Sequence, residues 1–181
     1  VVVTLHWGDE ESSRVPNLNQ RKLGRQFIDG GASIVVGHHV HCLQGVEEYS
    51  NGLICYSLGN FLFGPQMVLP GQIHSNRTND NNMTALLNID FTKDDFNFSW
   101  KYLMKRKNSL FLELDDGSVK KLHKKINKYV YYSDARLNIA YKLELIKVPI
   151  RNFLDKNDGF IKALLSIRIK QIKLLIKALI K

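Results

Sequence analysis

Two short β-branched runs separated by one helix length constrain this chain more than any other feature. Val1–Leu5 (VVVTL) and Ser33–Val36 (SIVV) are continuous and apolar, the pattern of strands buried on both faces. Between them, the stretch Leu18–Asp29 carries Leu23, Phe27 and Ile28 at helical spacing, and Gly30-Gly31 supplies a C-cap pair. A strand, a helix and a strand in that order predict a crossover connection and a parallel pair. An α/β fold follows.

Both runs end in histidine. His6 follows the first, and Gly37 then His38, His39 and His41 follow the second, so three of the six histidines lie within four residues. In open α/β sheets sites collect beyond the C-terminal ends of the strands, so His6 and the cluster are expected to converge. Residues i and i+2 of an extended segment share a face, which predicts His39 and His41 in one pocket and His38 pointing away. Neutral imidazole is a common ligand for zinc, manganese and iron. A complete catalytic site also needs carboxylates and open positions, and Asp9, Glu10 and Glu11 lie close to His6 in the chain. His6 alone reads either as a hydrogen-bonded capping residue or as a ligand. Burying three imidazoles at a strand end is costly unless something binds them. Asn60 follows Ser57-Leu58-Gly59; Gly59 permits positive φ, and the Asn60 amide either orients a ligand or caps the turn.

Downstream, Val46–Tyr49 and Leu53–Ser57 flank Ser50-Asn51-Gly52, a hairpin signal. Residues 64–82 read as a long loop rich in Gly, Pro, Asn and Ser. A second hairpin is expected from Met83–Phe91 and Phe96–Leu103, with Phe96, Phe98, Trp100 and Tyr102 forming a core-facing stripe. Beyond about residue 105 the composition shifts to Lys, Leu, Ile and Asn, and Val119–Val130, Asp134–Leu154 and Asp158–Lys181 read as helices, with a kink or break at Pro149. The expected division is residues 1–105, an α/β unit, and 106–181, a basic helical extension.

Charge follows that division. Residues 1–100 hold 6 Lys/Arg against 10 Asp/Glu, net −4, and residues 101–181 hold 20 against 7, net +13. The acidic half suits cations and the basic half an anionic surface. Cys42 and Cys55 imply no disulfide framework and exclude a cysteine-based zinc site. No apolar run is long enough to span a bilayer. From Phe160 to Lys181 there is no acidic residue, and Lys162, Ser166, Lys170, Lys173, Lys177 and Lys181 recur every three or four positions. Residues 158–181 therefore fit an interfacial membrane helix, or equally a helix packed on the domain or a partner protein. Nucleic acid is excluded as a partner because Ile and Leu dominate the basic segment and stacking aromatics are few. Val1 opens directly in a strand, which leads to the expectation that the sequence is a piece of a longer chain lacking its N-terminal part.

Three motifs carry a resemblance: HWGDE at 6–10, GHHVHCLQ at 37–44 and YSLGNFLF at 56–63. With GASIVVGHH at 31–39 and Asn76-Arg77 ahead of the strand led by Met83, they resemble the capsule-synthesis CapA family, linked to poly-γ-glutamate production and export, over about residues 1–105. That family is similar to the calcineurin-like metallophosphoesterases, which implies a layered α/β sandwich and a site for two divalent ions (manganese, iron or zinc) about 4 Å apart. By that resemblance His6 matches the isolated metal-binding histidine, and His39 and His41 match the final His-x-His pair. His38 becomes a residue behind the ligands or facing substrate. Val40 stands where the family commonly has proline. The superfamily's upstream Asp-x-His, second Asp and Asn-His have no counterpart here. The resemblance implies a metal-dependent hydrolase acting on an anionic polymer or phosphoester. Alternatives are a non-catalytic membrane-associated subunit assisting polymer synthesis or export, and a metal-binding structural domain. It points to the cell envelope or a membrane surface, while the residues leave the cytoplasm open.

Overall fold

The computed structural model describes residues 1–9, 13–61, 66–69, 72–74, 79–93, 95–105, 112–115 and 117–156. The expected helix over 158–181, Glu10, Glu11 and the Asn76-Arg77 pair lie outside them. Strand β1 (Val2–His6), helix α1 (Leu18–Asp29) and strand β2 (Ile34–His38) form the predicted unit, and β1 and β2 pair in parallel. Strands β3 (Val46–Tyr49) and β4 (Gly52–Cys55) form the predicted hairpin, with Ser50 in the left-handed region at φ 52°. β4 lies parallel to β2, giving one mixed sheet in the order β1-β2-β4-β3.

The 64–82 region is not simply a loop. It holds a two-stranded ribbon, β5 (Gln66–Leu69) with β6 (Gln72–His74), and a 3-10 turn at Asn79–Asn82. Strands β7 (Met83–Phe91) and β8 (Phe96–Lys105) form the second predicted hairpin, and β9 (Leu112–Leu114) extends it. Helix α2 (Ser118–Asn127), a 3-10 turn at Lys128–Tyr131 and helix α3 (Asp134–Lys156) follow. α3 continues through Pro149 as one helix instead of breaking. Among the described residues, no helix is long and apolar enough to cross a membrane.

The layers are α1, the mixed sheet, and the β7–β8 hairpin. Trp7, Val35, Ile54 and Tyr56 face α1, joined by Ile28 and Val130. Ile34, Leu53, Cys55 and Val46 face the other way, onto Leu87, Ile89, Phe96, Phe98 and Trp100. The aromatic stripe on β8 is core-facing as expected, its rings spaced 6.1–6.5 Å along the strand. β1 departs from expectation. It is a sheet edge whose Val3 and Leu5 face the α1 side, whereas Val2, Thr4 and His6 are exposed. A continuous β-branched run alone cannot distinguish a central strand from an edge strand.

The inner face of α1 also differs from its apolar pattern. Gln20, Arg21, Gly24 and Ile28 are buried, and Leu23 is exposed. Hydrogen bonds explain the inversion, since a buried polar group must be paired. The Arg21 guanidinium donates to the carbonyls of Val130 at 2.7 Å and Tyr132 at 2.6 Å, and to Asp134 Oδ1 at 3.1 Å. It therefore caps the turn between α2 and α3 and ties the helical region to the first sheet. Gln20 closes a capping box with Asn17 and donates to Gln44 at 3.0 Å.

A second polar cluster sits on β3. Buried Glu47 accepts from the Tyr56 hydroxyl at 2.6 Å and from Arg25, whose guanidinium lies over the Tyr49 ring. Burial, and then the Glu47 charge, push the Tyr56 hydroxyl well above its ordinary range. Glu47→Ala strands the phenol and removes the partner of a half-buried cation. It is expected to lower unfolding stability in urea by about 3 kcal/mol, whereas the neighbouring exposed Glu48→Ala changes it by less than about 0.5 kcal/mol.

His123 of α2 is buried against Trp100 and Tyr102, its Nδ1 3.0 Å from the Tyr102 hydroxyl. Burial holds its pKa down to about 4. The unfolded chain therefore binds a proton that the folded chain refuses. Stability from this residue is complete above about pH 6.5 and declines as pH falls towards 4, by up to about 3 kcal/mol. Urea midpoints measured near neutrality and near pH 4.5 should show a smaller acid loss in His123→Phe than in the parent.

Candidate metal centre

The β1–β2 register aligns the two histidine-bearing strand ends, pairing Leu5 with Gly37 and His6 with His38. One more bond, from the Trp7 amide to the His38 carbonyl at 3.3 Å, continues the ladder. The Trp7 indole then crosses β2 and donates to the Tyr56 carbonyl at 2.8 Å. A Cβ on residue 37 would lie 2.0 Å from the indole nitrogen and 2.1 Å from that carbonyl, so only glycine fits. Gly37 is thus a gap through which the ends of three strands are locked together.

Beyond β2 the chain is not extended. His39 and His41 both occupy the left-handed region, at φ 96° and 57°, with Val40 buried between them. Left-handed backbone is uncommon for residues other than glycine, and it persists here because Val40 anchors the turn. Strand alternation therefore does not set which way the His39 and His41 side chains point. The rings gather all the same. The His6 and His39 centroids are 4.2 Å apart at 46°, and those of His39 and His41 are 6.4 Å apart at 48°. His38 is exposed, and partial desolvation followed by the nearby His6 holds its pKa below the ordinary histidine value.

Asn60 acts on His41. Its Nδ2 donates to the Asn81 carbonyl at 3.2 Å, which turns Oδ1 towards His41 Nδ1 at 2.9 Å. An amide oxygen only accepts, so Nδ1 carries a proton, and in the neutral ring Nε2 is then the acceptor nitrogen. Asn81 closes the triangle by donating its own Nδ2 to the His41 carbonyl at 2.7 Å. Gly59 makes the arrangement reachable. It sits at φ 78°, where a Cβ would be 2.4 Å from the Met83 carbonyl, and it bridges to Thr84. Sequence reading missed Asn81, because nothing in the run Asn79–Asn82 indicates that one of its amides faces a histidine 40 residues away.

Among the described residues, no carboxylate joins this group. Asp9 Oδ2 accepts from Asn17 Nδ2 at 3.3 Å and from the Tyr141 hydroxyl. Among the described residues, no three His, Cys, Asp or Glu side chains are disposed to hold one ion. Geometry decides how far the imidazoles fit. With a metal–nitrogen bond of about 2.1 Å, a ring centroid lies about 3.2 Å from its ion, so two rings on one ion have centroids at most about 6.4 Å apart. His6 and His39 are comfortably inside that limit. His39 and His41 reach it only if they face each other across the ion, so they fit two neighbouring ions better than one. A neutral imidazole held by a second hydrogen bond, as His41 is, suits a divalent ion. The residues present fit part of a coordination shell.

The sequence profile of the family described as bacterial capsule synthesis protein PGA_cap matches residues 1–65. The match covers 65 of the 181 residues. The Bacillus anthracis capsule biosynthesis protein CapA is 49% identical over 63 residues, covering 35% of this chain and 15% of that protein. The PGA biosynthesis protein CapA of Bacillus subtilis (strain 168) is 52% identical over 63 residues, covering 35% of this chain and 16% of its own length. An uncharacterized protein, y4sH, of Sinorhizobium fredii is 41% identical over 58 residues, or 32% of this chain and 12% of that protein. The chain thus spans about a sixth of the CapA proteins it matches. The matched segment contains His6, His38, His39, His41 and Asn60, whereas Asn81 lies beyond it.

The triangle makes a prediction about the proton on His41. Nitrogen-15 imidazole shifts should report a Nδ1-protonated ring in the parent and a mixture of tautomers in Asn60→Ala. Asn81→Ala should move the same shifts less, because the Oδ1 contact survives. Parent-like shifts in Asn60→Ala would remove this role from Asn60.

Proposed function

We propose that the chain carries part of a metal-dependent hydrolase of capsule or poly-γ-glutamate biosynthesis, on a layered sandwich of metallophosphoesterase type. The observation that carries this reading is the convergence of His6, His39 and His41 at the strand ends, with His41 held in the tautomer whose Nε2 accepts. The Bacillus relatives, which are capsule and PGA biosynthesis proteins, support the process. In this reading His6, His39 and His41 are the imidazole ligands of divalent ions (manganese, iron or zinc). Exposed His38 faces the substrate, and Asn60 positions His41. When bound, such ions supply a Lewis acid and a water activated for attack. An anionic polymer or phosphoester is the substrate class, and the cell envelope is the favoured location. In the same reading, residues 158–181 contact a membrane surface or a partner protein.

One observation favours a second reading. Asp9 is engaged by Asn17 and Tyr141, and no described carboxylate joins the imidazoles. That suits a non-catalytic subunit that keeps the fold and assists polymer synthesis or export.

Manganese titration separates these readings without relying on turnover. Mn2+ should broaden the imidazole proton signals of His6, His39 and His41 selectively, leaving buried His123 sharp. His39→Ala and His41→Ala should each weaken binding by about 10–100-fold. Binding accompanied by manganese-dependent cleavage of a chromogenic phosphoester in a longer protein containing these residues supports the hydrolase, and binding without cleavage supports the subunit. Uniform broadening, with no preference for the three rings, would end the metal proposal.

A further inference from the structure

Helix α3 is apolar on two sides. Leu137, Leu145 and Val148 are buried on its inner side, where Glu144 pairs with Arg151 at 2.6 Å. On the outer side Ile139, Leu143 and Ile150 are 53, 42 and 46% exposed, and Ile146 is half-buried among them. At 3.6 residues per turn these four side chains fall in one stripe about 60° wide. Arg136 and Lys147 border it on one side and Lys142 on the other. A helix on a globular surface ordinarily presents a polar outer face, so a contiguous apolar stripe there requires a partner.

The charge of the surroundings identifies its chemistry. Residues 117–152 contain nine Lys/Arg and two carboxylates, Asp134 and Glu144, which are ion-paired to Arg21 and Arg151. Lys120, Lys121, Lys124, Lys125 and Lys128 add an exposed basic surface from α2 and the turn after it. Beside the stripe lies a groove of about 240 Å³ whose lining includes Tyr132, Arg136, Ile139, Leu143, Lys147 and Glu144, the last paired with Arg151. The Arg136 guanidinium stacks over the Tyr132 ring at 4.0 Å. The groove thus has an apolar wall and a cationic lip. Two copies meeting through this face would set Arg136, Lys142 and Lys147 of one against those of the other, and the groove's Glu144 is already paired with Arg151, so like-charge repulsion disfavours that dimer. An apolar stripe edged by cations matches a phospholipid interface, acyl carbons under the stripe and phosphates at its borders.

We infer that the outer face of α3 docks the protein on an anionic phospholipid surface. This site is separate from the histidine centre and does not depend on what that centre does. The test is co-sedimentation of the full chain with phosphatidylserine–phosphatidylcholine vesicles and with phosphatidylcholine vesicles alone. Residues 158–181 are present in every sample, so differences between variants report α3. The parent should pellet with the anionic vesicles and release them as salt rises. Leu143→Gln/Ile150→Gln and Arg136→Glu/Lys147→Glu should each lower partitioning at least about tenfold. Unchanged far-UV circular dichroism and melting temperature show that the fold survives these surface changes. Parent-like pelleting of both double variants overturns the inference. So does a parent dimer that Leu143→Gln/Ile150→Gln makes monomeric without affecting pelleting, since the stripe would then serve a second copy.

Discussion

The parallel pairing of β1 on β2 and of β2 on β4 is the constraint from which the rest of the site follows. It aligns three strand ends at one edge, and the missing side chain at Gly37 lets the Trp7 indole run across β2 to the Tyr56 carbonyl. A slip of one residue would turn Val35 and Ile54 away from α1 and would part His6 from His38. The indole bond resists such a slip because its length depends on the relative advance of the first and third strands. It also explains a buried tryptophan next to a surface site: Trp7 holds the frame from which His6 projects.

The polar interior does the same job at longer range. Arg21 leaves a helix of the first unit and closes the carbonyls of the turn between α2 and α3, while Asn127 Oδ1 accepts from the Val46 amide at 3.1 Å. Val130 packs in the cluster that contains Trp7 and Tyr56. The described part of the helical region therefore shares a core with the sheet. Each of these polar groups is costly to bury alone and tolerable once its partner is in place, so they favour one docking of the helices over others of equal apolar contact.

How far this was legible in the amino-acid order depends on the range of the interaction. The two hairpins, the bounds of α1, the parallel pair and the stripe Phe96, Phe98, Trp100, Tyr102 come from periodicity and from Gly and Asn-Gly signals, which act within a few residues. The exposed face of β1 was missed, since Val2 and Thr4 look no different from Val35 until the neighbours are counted. Leu23 was assigned to the buried face of α1 and Arg21 was not, because the carbonyls that satisfy Arg21 lie more than 100 residues away. In the candidate centre the histidines were legible as a cluster. Parallel strand ends bring His6 to the cluster as expected, but His39 and His41 meet through two left-handed residues around Val40 and not through strand alternation.

Asn81 shows why the family segment is not the whole of the site. Residues 1–65 contribute the histidines and Asn60, but the carbonyl that orients Asn60 and the amide that holds the His41 backbone come from the turn before β7. That turn is placed by the antiparallel bridge between Gly59 and Thr84, which needs the left-handed Gly59, and by the bond from the Thr84 hydroxyl to the Leu58 carbonyl at 2.8 Å. The β7–β8 hairpin in turn packs its aromatic stripe on the far face of the first sheet. The imidazole geometry is thus set from both sides of the mixed sheet, by the Trp7 lock on one and by the hairpin on the other. A relative that shares only the first 65 residues would keep the three histidines and Asn60, and would still need a backbone carbonyl placed like that of Asn81 to turn the Asn60 amide towards the second paired histidine.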